Sequence, residues 1–262
     1  TERTSSVITV EYNVNESFSG ELIACGLCWD TEPWPTIESQ SKTIDGSRYG
    51  SHKTEIRGLD VGKTWYVRAY AINAKGTAYS NEEVFYVPVS FEDEELSSYM
   101  LKAGDIDGDG YLSLQEARNI SAIDICTDRI NSINGLEYCT GLTSIALTGS
   151  AAGAGRLSVI DLKPFHGLEV LDLSNNMLTG IDISGNSRLR TVALAGNRFS
   201  SLRVPYLTEL TSLDVHGNPV SALNITSLPA IEELNISGTE ISGLNDIFKA
   251  VRSLRRLYAR EI

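Results

Sequence analysis

Several residue types and patterns that define familiar functional classes are scarce in this sequence. Of its 262 residues only four are cysteine and three are histidine, which is too little cysteine for a disulfide scaffold in a chain of this size. Lys and Arg number 22 against 34 Asp and Glu, for a formal net charge of −12, and they form no basic stripe. Because phosphate-backbone binding needs clustered Lys and Arg, nucleic acid is not expected as a partner.

Long apolar runs are missing as well. No run approaches the length of a membrane span, and no signal-peptide pattern opens the sequence. Two interpretations stay open: a cytosolic chain, or a chain whose export signal lies outside the printed sequence. Cys25 and Cys28 form a CxxC, but a three-residue offset on a strand points two side chains to opposite faces. A metal or redox role for this pair is therefore not expected.

The stretch "DIDGDGYLSLQE", residues 105–116, carries a specific chemical pattern. An EF-hand loop binds calcium through its alternate positions and the last of its twelve residues, with a glycine at the sharp turn, here Gly110. The alternative is a solvated acidic turn, but residue type, order and spacing together favour calcium. The expected ligands are Asp105, Asp107, Asp109, the backbone carbonyl of Tyr111, Ser113 and Glu116.

Helices are predicted on both sides of this loop, over "FEDEELSSYMLKAG" and "LQEARNIS". Calcium sensors use paired loops, and a second loop does not occur in the sequence, so the predicted Ca2+ is structural. We expect it to fix the angle between the two helices. Apolar residues of this hairpin would then cover the end of the following domain: Phe91, Leu96, Tyr99, Met100, Leu101 and Leu114.

From residue 120 onward the sequence repeats. Segments that fit LxxLxLxxNxL, the leucine-rich repeat, start at Ile120, Leu142, Leu168, Leu189, Leu210, Ile231 and Leu254. Their apolar positions predict a solenoid of about seven coils, each of about 21 residues, with one continuous core. Asn176, Asn197 and Asn218 are expected to bond neighbouring backbone, and an insertion at 151–155 should bulge from one edge.

Residues 1–89 show a different period. "SVITVEYNV" alternates apolar and polar residues, and "TWYVRAYAIN" is typical of a strand. The pattern predicts a small all-β sandwich, the architecture that fibronectin III and immunoglobulin-like domains share. The chain is thus expected to be multidomain: a β-sandwich over 1–89, an EF-hand-like helical hairpin over 90–119 that caps the next domain, and a leucine-rich-repeat solenoid over 120–262.

Two resemblances add to these patterns. "GLCWDTEPWPTIES" and "GLDVGKTWYVRAYAINAKGTAYSNE" resemble the fibronectin type III-like modules of gut Bacteroidetes surface proteins, although Trp65 replaces the usual corner tyrosine and the first strand is missing or very short. Residues 91–262 look like Bacteroidetes cell-surface leucine-rich-repeat proteins, in which one EF-hand hairpin precedes the coils. The resemblance implies an exported, lipid-anchored protein whose signal lies outside this chain. It implies no enzyme activity and names no ligand.

The concave face of the predicted solenoid is the expected binding surface. Small residues would leave room in the middle coils, polar groups would line the next, and arginines would close the end. A merely solvated face is the alternative. A protein partner is favoured over a glycan because only one aromatic residue lies there, and a monomer is expected. The candidate contact residues are Asp172, Ser174, Ala193, Asp214, His216, Asn235, Arg256 and Tyr258.

Catalysis is the competing class. Asp172 and Asp214 would lie roughly 10 Å apart across two coils, just beyond the carboxylate spacing of inverting glycosidases. Ser237, His216 and Asp214 offer the residue types of a catalytic triad. Nothing in the pattern buries these groups, however, and catalytic acids need an environment that perturbs their pKa. We therefore do not expect an enzyme.

Overall fold

The computed structural model describes residues 2–4, 7–15, 20–225, 227–243 and 245–261. The chain divides into two compact units, Thr1–Ser90 and Phe91–Ile262. No helix within the described ranges is long and apolar enough to cross a membrane.

Unit 1 is built from two antiparallel sheets. One has the strand order β1-β2-β5, and the other has the order β4-β3-β6-β7, with β8 also on β6. Buried side chains from both sheets, including Ile8, Leu27, Ile56, Val67 and Phe85, form one core cluster. The strands are β1 Glu2–Thr4, β2 Val7–Val14, β3 Leu22–Asp30, β4 Ser41–Lys42, β5 Gly50–Arg57, β6 Thr64–Asn73, β7 Gly76–Tyr79 and β8 Glu83–Tyr86.

The sequence predicts two departures from the fibronectin type III-like pattern, a short first strand and Trp65 in place of a tyrosine, and both can be located in unit 1. β1 is very short and pairs only with Val7–Thr9 of β2. At the position expected for a corner tyrosine, the Nε1 atom of Trp65 is buried, and it has no hydrogen-bond partner among the described residues. Cys25 is buried among Val14 and Leu22, whereas the thiol of Cys28 contacts the Pro35 carbonyl at 3.5 Å. The two thiols thus have separate surroundings.

Unit 2 begins with two helices, α1 Glu94–Gly104 and α2 Leu114–Asn119. The side chain of Asp93 caps α1, and Ser113 with Glu116 forms a capping box at the start of α2. Gly104 allows the two helices to approach each other, because a Cβ atom there would lie 2.7 Å from side-chain atoms of Leu112 and Ile120. The chain passes from α2 directly into the first coil.

The coils place one strand each in a seven-stranded parallel sheet, here called the solenoid sheet. Its strands are β9 Ala122–Cys126, β10 Ser144–Thr148, β11 Val170–Asp172, β12 Thr191–Ala193, β14 Ser212–Asp214, β16 Glu233–Asn235 and β17 Arg256–Tyr258. Each strand pairs with the next without a register shift, so residues at the same position of successive repeats lie side by side.

Outside the solenoid sheet, short elements complete the coils. β13 Ser201–Val204 pairs in parallel with β15 Ala222–Ile225, and a 3-10 helix Leu136–Tyr138 and α3 Asn245–Ala250 lie in the first and last connections. The half-repeat "LTGIDIS" forms no strand, although Leu178 and Ile183 are buried. β15 belongs to the strand pair, although its Leu223 and Ile225 are only half-buried. Strand pairing on this side therefore does not follow the depth of apolar burial.

A buried column of asparagines holds successive coils together. The Nδ2 atoms of Asn176, Asn197 and Asn218 donate to carbonyls of the preceding coil, those of Leu147 at 2.7 Å, Leu173 at 2.9 Å and Leu194 at 2.9 Å. The amide oxygens of Asn197 and Asn218 accept from backbone N–H groups of that same preceding coil. Each side chain thus satisfies both of its polar ends across a coil boundary.

The insertion at 151–155 changes this column in one place. Ser150 turns away to bond Asp128, with its N–H 3.0 Å from Oδ1, and the turn returns to the coil at Gly155. Asn176 accepts a hydrogen bond from the Thr127 hydroxyl at 2.6 Å and from the Leu157 N–H at 3.3 Å. One asparagine therefore joins segments 49 residues apart. The coil that starts at Leu142 has Ser150 in place of an asparagine, and its Leu157 N–H donates to Asn176 of the next coil.

Candidate functional site

The loop between α1 and α2 gathers three acidic side chains. Asp105, Asp107 and Asp109 each offer a carboxylate oxygen, and these oxygens lie within 4.8 Å of one another. The loop backbone supports the first of them, because Oδ1 of Asp105 accepts from the Gly108 N–H at 2.8 Å and Oδ2 from the Gly110 N–H at 3.0 Å. Three carboxylates at this distance repel one another unless a cation lies between them.

Two glycines allow the loop to turn back on itself. Gly108 and Gly110 have φ angles of 74° and 82°, a region that side chains with a Cβ rarely adopt. The turn brings the alternate aspartates to one side. Gly110 is the glycine that the sequence pattern assigns to the sharp turn; Gly108 is a second residue with the same conformation.

Glu116, the sixth candidate ligand, lies outside the group of three carboxylates. It is 8% exposed; Oε1 accepts from the Ile106 N–H and Oε2 from the N–H of Ser113, both at 2.9 Å. Burial raises the pKa of the Glu116 carboxyl, but these hydrogen bonds outweigh burial and hold the pKa below its usual range. The hydroxyl of Ser113 also donates to Glu116 at 2.8 Å.

The helix pair covers the first coil of the solenoid. Leu96, Met100 and Leu112 are buried, and the Tyr99 hydroxyl accepts from the Asp124 N–H of β9 at 3.0 Å. The other residues predicted to cover this end, Phe91, Tyr99, Leu101 and Leu114, are half-buried. Leu112, which lies in the loop between the helices, therefore also belongs to the covering set.

Asp93 ties α1 to the solenoid and was not recognised from the sequence. Besides capping the helix, its Oδ2 accepts from the Asn131 N–H at 2.8 Å. Hydrogen bonds from Asn131, and then from Leu96 and Glu95, lower the pKa of Asp93, although burial opposes them. Its position directly before the helix was the available signal, but the contact with Asn131 depends on the fold.

The candidate partner residues share the outward face of the solenoid sheet. Asp172, Ala193, Asp214, Asn235 and Tyr258 are register partners in successive strands and form one row. Ser174 and His216 lie two residues after Asp172 and Asp214, just beyond the ends of the strands, and belong to the adjacent row. Arg256 precedes Tyr258 and pairs with Glu233 of the neighbouring strand at 2.6 Å. The structure therefore brings all eight candidates onto one surface.

The polar groups of two coils form a connected cluster on this surface. Nδ1 of His216 lies 2.8 Å from Oδ1 of Asp214, and Nδ2 of Asn235 donates to Oδ2 of Asp214 at 3.1 Å. Both oxygens of Asp214 therefore hold neighbours in position. Next to the cluster, Ala193 and Ala195 carry only methyl groups, which makes the surface lower there.

The candidate catalytic side chains take part in other hydrogen bonds on the surface of the solenoid sheet. Ser237 accepts from the Arg260 N–H at 3.2 Å, while His216 contacts Asp214 and Asn235. The carboxylate of Asp172 accepts from the Ser174 N–H at 2.9 Å, and the whole β12 strand separates it from Asp214. The side chains of His216 and Asp214 are 49% and 31% exposed, so solvent reaches both groups.

The repeated strands, the stacked apolar core and the asparagine column define a solenoid of stacked β-coils. Residues 167–189 match the family described as Leucine Rich Repeat. No protein of curated function shows significant similarity to the chain.

Solved structures similar to the chain include three from Listeria monocytogenes. An internalin, inlF, is 18% identical over 64% of this chain and 56% of its own, with a TM-score of 0.47. Internalin C2 is 16% identical over 64% of this chain and 93% of its own, with a TM-score of 0.38. The functional domain of InlJ is 15% identical over 65% and 60%, with a TM-score of 0.23. The chain thus spans little more than half of the inlF chain.

Proposed function

We propose that this protein is a non-enzymatic, calcium-stabilised interaction protein that binds a protein partner through the outward face of the solenoid sheet. The single observation that carries the proposal is the unbroken register of seven parallel strands, which presents the side chains of successive coils as ordered rows. Solenoids use such extended surfaces for binding because side chains there are not needed for the core.

The chemistry of the rows changes along the solenoid. The Asp214, His216 and Asn235 cluster supplies a fixed set of polar groups, and the last coil adds Tyr258, 47% exposed, beside Arg256. Tyrosine and arginine are enriched among the residues that dominate protein interfaces. The centre of the proposed contact is therefore placed on the last three coils, with the polar cluster providing orientation.

The proposed Ca2+ would be held by the loop between α1 and α2. Asp105, Asp107 and Asp109 supply an oxygen-only donor set close enough for one hard cation. Tyr111 through its carbonyl, Ser113 and Glu116 would complete the ligands. The ion would neutralise the three carboxylates and fix the loop that joins the two covering helices. Its role is structural.

The finer assignments rest on sequence resemblance. Unit 1 is proposed to be a fibronectin type III-like module that acts as a spacer, and the protein to be located at the cell surface, with a lipid anchor outside this chain. A glycan-binding component of polysaccharide capture is the alternative to a protein-binding role.

Two tyrosines allow a matched test. Tyr258 lies in the solenoid sheet and is 47% exposed, whereas Tyr206 follows β13 and is 60% exposed. Binding of the immobilised protein to collagen, laminin and mucin would be measured for the wild type, Tyr258→Ala and Tyr206→Ala. We expect Tyr258→Ala to weaken binding at least about tenfold, as truncation of an interface anchor does, and Tyr206→Ala to leave it unchanged.

Equal losses in the two variants, or a loss confined to Tyr206→Ala, would place the contact outside the solenoid sheet. Repeating the measurement in chelator separates the roles of the two sites. Binding that survives chelation agrees with a structural ion, whereas binding that requires calcium in the folded protein would move the ion to the interface.

A further inference from the structure

Unit 1 carries an aromatic side chain with no role in its core. Trp34 lies in the loop between β3 and β4 and is 64% exposed. Its φ angle is 60°, in the left-handed region that bulky residues rarely adopt. A tryptophan that is both strained and exposed contributes little to folding, so its presence at this position calls for a role in binding.

The Trp34 backbone is held in place. Prolines precede and follow it, and the carboxylate of Glu82 accepts a hydrogen bond from its N–H. Pro35 is buried, and its carbonyl accepts from the Cys28 thiol at 3.5 Å. These restraints fix the loop on the sheet, so binding to the indole would require little additional ordering of the loop.

The Trp34 ring is also supported from one side. The Arg68 guanidinium carbon lies 5.4 Å from its centroid and 4.5 Å from the centroid of Tyr79. Arg68 is fixed in turn, because Nε donates to the Ser80 carbonyl at 3.1 Å, and the Tyr79 hydroxyl accepts from the Ile37 N–H at 3.1 Å. Trp34 nevertheless remains 64% exposed, so solvent reaches most of the residue.

The surroundings of the ring are polar. The loop supplies Thr31 and Glu32, both exposed. The Glu82 carboxylate lies at the Trp34 backbone N–H, and the Arg68 guanidinium lies over the indole. An exposed flat aromatic surface with polar and charged side chains nearby matches a sugar ring. The C–H groups of a sugar pack on the electron-rich ring face, and its hydroxyls bond charged groups. A protein contact centred here would instead need a contiguous apolar patch.

We propose that Trp34 is a stacking platform for a carbohydrate ring, with Arg68 as the residue that positions it and Glu82 as a partner for sugar hydroxyls. This site is built from residues of unit 1 alone, so it extends the proposed function instead of resting on it.

The test is electrophoresis of the folded full chain through native gels that contain laminarin, xyloglucan, galactomannan or mucin. We expect retardation of the wild type in at least one of these gels. Trp34→Ala should weaken this binding at least about tenfold, whereas Trp34→Phe, which keeps an aromatic face, should lose less than about threefold. Arg68→Ala should give an intermediate loss. Val84→Ala, another exposed apolar residue of unit 1 at 53%, should bind like the wild type.

Absence of retardation in all four gels would overturn the proposal, as would retardation that Trp34→Ala leaves unchanged. Retardation lost in Tyr258→Ala but not in Trp34→Ala would assign sugar binding to the solenoid sheet and also overturn it. If Trp34→Ala lowers binding to collagen or laminin but no polysaccharide is bound, the exposed indole serves a protein contact. Circular dichroism of each variant, together with Trp34→Phe, separates loss of the ring from loss of folding.

Discussion

At the scale of single residues, asparagine has the most demanding task in this chain. The Asn197 side chain donates to the carbonyls of Leu173, Leu194 and Ala195 and accepts from the Leu178 N–H, all within the buried interior. A carboxylate could not donate these bonds, and an apolar residue would leave the Leu178 N–H without its acceptor. The three carbonyls would each keep one other donor, from Asn176, Asn218 and the Asn175 N–H. The residue is therefore determined by its partners and not by its volume.

Asn197→Ala should lower the free energy of unfolding of unit 2 by about 2 kcal/mol, because the buried Leu178 N–H loses its partner and three carbonyls each lose one of two donors. Asn235→Ala is the control, since Asn235 is half-buried on the surface of the solenoid sheet and its loss should be under about 1 kcal/mol. Urea unfolding followed by circular dichroism measures both. Similar losses in the two variants would contradict the assigned role of the column.

The role of a residue could be predicted where the same residue type recurs at the same position of successive repeats. Asn176, Asn197 and Asn218 occupy one place in the repeat, and they bond the neighbouring coil as expected. The bond between Thr127 and Asn176 was not predictable, because it joins residues 49 positions apart and depends on the path of the insertion. Trp34 was equally missed as a candidate. Its signal was a tryptophan between two prolines in a polar loop, which indicates exposure but not the support from Arg68.

At the scale of elements, the hairpin of α1 and α2 combines buried apolar contacts with clustered negative charge. Leu96 and Met100 are fully buried, while three carboxylates face one another in the loop. The first contribution holds the helices on the first coil, and the second weakens the loop at low cation concentration. The stability of this hairpin should therefore depend on the ionic conditions more than the stability of the coils does.

If the site dissociates near 0.1 mM, then ~1 mM calcium should stabilise unit 2 by roughly 1.4 kcal/mol. For a unit of this size, this corresponds to a rise of about 3–6 °C in Tm. Asp107→Asn and Glu116→Gln should each remove most of the rise. Asp161→Asn should keep the rise. Asp161, like Asp107, accepts from the backbone N–H two residues on, at 3.0 Å, but it belongs to no cluster of acidic side chains among the described residues.

Differential scanning calorimetry in calcium, magnesium and chelator measures this response. Two results would reject the metal assignment: a melting temperature that calcium does not change, or a calcium-induced rise that Asp161→Asn reduces as much as Asp107→Asn does. Neither result would affect the covering role of the helices.

The elements were predictable to different degrees. Helices around the loop and one strand in each coil follow from capping residues and periodicity, which act locally. Strands on the other side of the coils were predictable only as apolar half-repeats. β13 and β15 pair, whereas "LTGIDIS" buries its apolar residues without forming a strand. Whether two extended segments pair depends on their separation across coils, which the sequence pattern does not encode.

At the scale of the whole molecule, each of the two compact units has a core of its own. The three tryptophans, Trp29, Trp34 and Trp65, all lie in unit 1. Tryptophan fluorescence therefore reports on unit 1 alone, while far-ultraviolet circular dichroism also reports on the coils. The chain thus contains its own probe for separating the two units.

Because each unit has its own core, we expect them to unfold independently. Asn197→Ala should shift the transition seen by circular dichroism and leave the fluorescence transition within error. Separate chains of residues 1–90 and 91–262 should reproduce the two transitions. A fluorescence transition that moves with the Asn197 variant would show that the units unfold as one.

The register of the solenoid sheet also fixes a length scale for whatever lies across it. Equivalent side chains in adjacent strands repeat about every 4.8 Å, and every second coil about every 9.6 Å. Residues seven apart on an α-helix are about 10.5 Å apart and share one face, close to the two-coil distance. Alternate residues of an extended peptide are about 6.7 Å apart and fall out of step after one coil. Row for row, this lattice is more nearly commensurate with a helix laid across the strands than with an extended chain.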